Sequence, residues 1–147
     1  MRDAVLIASG TGMTPFAAML EARARARGRK TRNRVTLVNC ARSEADLYDL
    51  ESVRQLESHV WLTLETRTGP EVPSGRRPAG GGPVPTDWVS DDWADRDVFV
   101  CGSPGFAEEA RAALLAAGHD PAAVHVERSG STIPAPWGAT AHGGGTA

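Results

Sequence analysis

The chain has 147 residues, 41% of them apolar and 23% charged, with a formal net charge of −2, the profile of one soluble globular domain. The near-neutral charge gives no reason to expect nucleic acid or an anionic membrane as partner, and no apolar run reaches the length of a membrane span. Cys40 and Cys101 each close an apolar run and form no spaced framework, so a reduced, cytoplasmic protein without a signal peptide or a zinc site is expected.

In chain order, Asp3 to Ala8 reads as a first strand buried on both faces, because Ala4-Val5-Leu6-Ile7-Ala8 is continuously apolar and does not alternate. Gly10-Thr11-Gly12-Met13-Thr14-Pro15 follows and opens a helix predicted from Pro15 to Arg27. A strand, a glycine turn and a helix start form the arrangement an anion needs. The first helical N–H groups lack partners, the aligned dipoles make that end partly positive, and glycine lets a pyrophosphate approach. Pro15 suits a first helical position. A branched side chain at Gly12 is expected to occupy the pyrophosphate's place. The alternating alanines and arginines from Glu21 to Lys30 read as a solvated helical face ahead of an anion patch, with Gly28 as the stop.

Arg34 to Cys40 reads as the second strand. Ser43-Glu44-Ala45-Asp46 has the S-x-x-D form of a helix start. Leu47, Leu50, Val53 and Leu56 then share one face of a helix predicted over 43–58. His59 to Leu64 is the third strand, and its alternation suggests a sheet edge. Residues 66–85 contain five glycines and five prolines, so neither helix nor strand should run through them. Such a loop is disordered, functional or a misassignment, and it carries Arg67, Arg76 and Arg77. Thr86 to Trp93 reads as one short helix with Trp88 on the sheet.

Asp97 to Cys101 is the fourth strand. Gly102-Ser103-Pro104-Gly105 turns the chain, with Ser103 as cap and Pro104 at the first helical position. Phe106, Ala110, Leu114 and Ala117 form the apolar stripe of the next helix, and Gly118 ends it. Ala123 to Glu127 is the fifth strand. Residues 1–129 form the domain. The tail, 130–147, is expected to be disordered. Alternating strands and helices imply a doubly wound α/β fold, with a parallel sheet covered by helices on both faces and a ligand crevice at the carboxyl ends of its strands.

Plain NAD binding favours an acid closing the second strand. Here Arg42 stands there, and a guanidinium suits a ribose 2′-phosphate, although an ordinary surface arginine is the competing reading. Ser43 either adds a hydroxyl donor or caps the helix. Cys101 is either a small buried apolar residue or a thiol beside the reacting ring of a cofactor, and nothing local makes it a nucleophile. His119 and His125 have no catalytic partners, and no Ser-His-Asp set, G-K-[ST] loop or metal cluster appears.

Taken together, Gly10 to Pro15, Ala41 to Leu47, Val100 to Pro104 and Val126-Glu127 resemble the NAD(P)-binding half of the ferredoxin–NADP reductase superfamily across residues 3–129. They are also similar to the reductase components of bacterial oxygenase systems. The resemblance implies a five-stranded sheet of order 3-2-1-4-5. It implies pyrophosphate on Gly10, Thr11 and Gly12, with Met13 in the same turn and Thr14 and Pro15 near the flavin–nicotinamide junction. Arg42 and Ser43 would lie at the adenosine ribose, with Arg67 and Arg76 as further phosphate contacts and Gly102, Ser103 and Pro104 in the facing turn. Cys101 would pack on the nicotinamide and Glu127 would help orient it.

Two departures stand out. The only tyrosine is Tyr48, so the family's Arg-x-Tyr-Ser/Thr flavin motif is missing. Arg128-Ser129 follows Glu127 where many relatives place an aromatic ring. The expected activity is therefore hydride delivery from NADPH or NADH, NADPH favoured, to an FAD held by a partner chain or a missing barrel domain, with a ferredoxin or oxygenase as a further acceptor. A nucleotide-binding module without turnover is the alternative. An S-adenosylmethionine methyltransferase is a weaker third reading, opposed by Pro15 and the 101–104 turn.

Overall fold

The computed structural model describes residues 2–26, 32–48, 50–76 and 82–128. Five strands, β1 (Ala4–Ser9), β2 (Val35–Ala41), β3 (Leu62–Thr68), β4 (Asp97–Gly102) and β5 (Val124–Arg128), pair in parallel in the order β3-β2-β1-β4-β5. The three central strands are buried almost end to end, as their continuous apolar runs require. β3, at an edge, alternates between sheltered and exposed residues.

Period-two alternation divides the strand side chains between two cores. On one face, Leu6, Leu37 and Phe99 pack against Phe16 and Leu20 of α1 (Met13–Arg25) and Val53 of α2 (Leu50–Arg54). On the other, Ile7, Val38 and Val100 pack against Phe106, Ala110 and Leu114 of α3 (Pro104–Ala116), with Trp88 and Trp93 beside them. Each fully buried side chain of this size stabilises the fold by roughly 1.5–3 kcal/mol relative to leaving it exposed. Among the described residues no helix is long and apolar enough to cross a membrane.

The α3 region matches expectation closely, except that Ala117, expected in the apolar stripe, is the exposed C-cap and Ala107 and Ala113 complete the buried face instead. The Ser103 hydroxyl accepts the Phe106 N–H at 3.2 Å, Pro104 opens the helix, and Gly118, at φ +97°, follows its end.

Elsewhere the structure corrects the reading. α1 starts at Met13, not Pro15, because Gly10–Gly12 already forms a 3-10 turn that runs into it. Arg23 is buried where a solvated face was expected. It donates to the Asn33 carbonyl at 2.7 Å and lies over the Trp61 ring at 4.1 Å. The helix predicted over 43–58 is a 3-10 turn, Glu44–Asp46, and the short α2. Leu47, at ψ 125°, is extended between them. β3 begins three residues later than expected and continues through Thr68, so Arg67 belongs to a strand and not to the Gly/Pro-rich loop. Thr86 to Trp93 makes a turn and a 3-10 element, Asp91–Trp93, with Trp88 buried on the sheet. Gly28, Lys30, Arg77 and the 130–147 tail lie outside the described residues.

Candidate functional site

The carboxyl ends of β1, β2 and β4 lie side by side, since β1 pairs with both neighbours. From β1 the chain passes through Gly10, at φ +55°, where an added Cβ would meet nothing within 4 Å. A left-handed residue with open space above it lets a ligand approach the backbone. Gly12 is different. A Cβ there would stand 2.6 Å from the Cys101 carbonyl carbon and 2.9 Å from the Gly102 nitrogen. Gly12 is thus required by the close approach of the α1 start to the end of β4, and the expected reason, room for a pyrophosphate, is corrected. α1 begins without a side-chain cap and without an acidic residue in its first turn, so nothing in its own sequence neutralises its positive end. Thr11, Thr14 and Pro15 are exposed beside this turn, whereas Met13 is buried in the α1-side core. Pro15 is the third helical residue.

A cleft of about 340 Å³ opens beside Gly10. Its walls are Ser9 and Gly10 at the end of β1, Cys40 to Arg42 at the end of β2 with Asp46 beyond them, and Pro73, Ser74 and Arg76 in the loop after β3. Arg42, predicted after the second strand, and Arg76, predicted in the Gly/Pro-rich loop, therefore line one space. Ser43 is exposed, and its hydroxyl donates to the Asp46 carboxylate at 2.8 Å, drawing together the two ends of the S-x-x-D pattern. Arg67 is placed apart from the cleft lining. Its guanidinium donates to Glu65 at 2.6 Å and to the Trp88 carbonyl at 3.0 Å, and it lies over the Trp93 ring.

At the end of β4, Cys101 is 6% exposed and sits in register between Ala8 of β1 and Glu127 of β5. Burial, and after it the Glu127 charge, pushes the Cys101 thiol above its ordinary range. It is a neutral thiol with an apolar surface, suited to packing rather than nucleophilic attack. Burial also raises the Glu127 carboxyl, and its Oε2 is enclosed with no hydrogen-bond partner among the described residues. Gly102 packs against the Phe106 ring, while Ser103 and Pro104 are exposed at the α3 start.

The donor set fits a dinucleotide. An open glycine and an uncapped helix start suit bridging phosphates, two arginines suit a further phosphate, and a buried thiol beside a sheltered carboxyl suits an uncharged ring. Sequence reasoning missed Asp46, Pro73 and Ser74 as cleft walls. It also missed the packing of Gly75 on the α3 start, where the Gly75 backbone takes the place of a Gly105 Cβ and the Phe106 nitrogen that of a Gly75 Cβ. The available signal was Gly105 itself, a poor helix former in the first turn of an otherwise alanine-rich helix.

The family model for the oxidoreductase NAD-binding domain matches residues 6–112. No match to the chain was found among curated proteins. Among solved structures, the chain is similar to flavohemoglobin from Malassezia yamatoensis, with bound FAD and heme, at 24% identity and a TM-score of 0.60, covering 86% of this chain and 31% of that one. The FAD/NAD-binding domain of nitric oxide dioxygenase from Vibrio cholerae is 26% identical with a TM-score of 0.53, covering 86% of this chain and 51% of that one. Ferredoxin-NADP+ reductase from Plasmodium falciparum, at 16% identity and a TM-score of 0.55, shares the fold over 86% of this chain and 53% of that one. The chain thus spans from 31% to 53% of the lengths of these chains.

Proposed function

The chain belongs to the oxidoreductase NAD-binding domain family, and on that premise we propose that it binds NADPH in preference to NADH and presents it to a flavin held outside these residues. The observation that carries the reading is the cleft at the carboxyl end of the sheet. It joins an open glycine and two arginines in one space, and the uncapped start of α1 follows that glycine turn in the chain. Bridging phosphates rest on Gly10, Thr11 and the first turn of α1, with Thr14 and Pro15 towards the nicotinamide. Arg42 and Arg76 take the ribose 2′-phosphate through charge-assisted hydrogen bonds, and Ser43 holds Asp46 beside them. Arg67 supports the wall behind Cys40 and is not assigned a direct contact. When bound, the nicotinamide supplies the hydride. Cys101 packs on the ring and Glu127 fixes its orientation, while Gly102, Ser103 and Pro104 form the facing turn. Holding donor and acceptor at near-contact distance is a large part of such a rate.

The acceptor flavin, an FAD in a barrel domain or a partner subunit, and a ferredoxin or oxygenase beyond it, complete the proposed electron path. Calorimetric titration with NADPH and NADH tests the binding, and dye reduction with an added flavin-barrel domain tests the delivery. Tighter NADPH binding together with turnover supports the reading. Binding without turnover on any flavin domain would favour a nucleotide-binding module instead.

A further inference from the structure

The loop after β3 supplies Arg76 to the cleft, and the described segment is pinned at both of its ends. At its start, the Gly69 N–H donates to the Arg42 carbonyl at 3.3 Å, which ties the loop to the backbone of Arg42. At its far end it lies on α3. The Ser74 N–H donates to the Glu109 carboxylate at 3.2 Å, and the Arg76 N–H donates to the Ser74 hydroxyl at 3.3 Å. Gly75, at φ +73°, packs directly on the first turn of α3. A Cβ on Gly105 would stand 2.8 Å from the Gly75 carbonyl oxygen and 3.0 Å from its Cα. A Cβ on Gly75 would stand 2.9 Å from the Phe106 nitrogen. The loop can take this position only because both residues lack a side chain.

We infer that Gly105 and Glu109 of α3 are positioning residues for coenzyme selection. They hold the 73–76 segment where Arg76 joins Arg42 on the cleft, and so govern discrimination for the 2′-phosphate without touching the nucleotide. The inference rests on the NADPH reading above. It adds that the preference is set from the helix after β4, on the side of the sheet opposite α1.

The test is calorimetric titration of the full chain with 2′-phospho-AMP and with AMP. Gly105→Ala adds a methyl group to a helix start, where alanine is intrinsically favourable, but pushes the loop away. It should weaken 2′-phospho-AMP by about tenfold, the loss of one good phosphate contact, with AMP binding little changed. Glu109→Ala should act in the same direction. Glu109→Gln, which keeps an acceptor for the Ser74 N–H, should restore the preference. In an Arg76→Ala background Gly105→Ala should cost nothing further. A preference that persists in both Gly105→Ala and Glu109→Ala, a full additional loss in the Arg76→Ala background, or equal weakening of both probes would overturn the inference alone. Equal affinity of the unsubstituted chain for the two probes would instead remove the NADPH reading on which it rests.

Discussion

The two ends of the cleft are made of different material. At the β1 end the groups that face a ligand are backbone: an open Gly10, and an α1 start wedged through Gly12 against the end of β4. At the β2–β3 end they are exposed side chains, Arg42 and Arg76, carried on connecting segments and held by single hydrogen bonds and a glycine contact. The first end is fixed by the core and, in the proposed reading, would serve phosphates that every nicotinamide dinucleotide carries. The second can change its partner by changing one residue. On the proposed reading, affinity and selectivity would be given to separable parts of the molecule.

The sharpest way to break this contrast is Gly12→Val. Its side chain meets the Cys101 carbonyl, so overpacking should cost about 3 kcal/mol or more, read as a large fall in melting temperature with loss of all nucleotide binding. Unchanged stability would mean that the β1 end is not core-built. Arg42→Ala should leave stability unchanged and weaken NADPH by roughly 1.5–3 kcal/mol, the range for hydrogen bonds to a charged group, while NADH changes little. Equal losses in parallel titrations would erase the difference between the ends. Gly10→Ala meets no clash but must hold a left-handed conformation. It should cost about 1 kcal/mol of stability and weaken both coenzymes alike, because its methyl group enters the cleft.

The smallest expected effect concerns Glu127. Burial raises its folded pKa, so its contribution is fully present below the ordinary carboxylate range and is lost as pH rises through the raised value. Glu127→Gln should therefore flatten the decline of melting temperature between mildly acid and neutral pH. A steeper decline in the variant would show the carboxylate to be favourably held.

Legibility in the sequence divided along the same line. β1, β2 and β4 announce themselves because a strand buried on both faces must be apolar throughout, and the α3 start because capping is local chemistry between Ser103 and Phe106. β3 was misplaced because an edge strand tolerates Thr63, Glu65 and Arg67, and the prolines and glycines beyond it masked its end. The helix over 43–58 has Val53 and Leu56 on the core as expected but is interrupted at Leu47 and Tyr48, where the buried Asn39 donates to the Tyr48 carbonyl at 3.0 Å. That bond spans two elements, and periodicity does not register it. Arg42 and Arg76 could be named from the sequence. Their meeting in one cleft, and the departure of Arg67 to Glu65 and Trp88, depend on where β3 ends.

The seating of Gly12 on the carbonyl of Cys101 turns the first and fourth strand ends into a gauge of fixed span. A ligand gripped at the glycine turn would be metered against the thiol, because the two points are packed on one another. A coenzyme laid along this gauge would have its reach set before any acceptor arrives, so a docking flavin would need to adjust only its own approach.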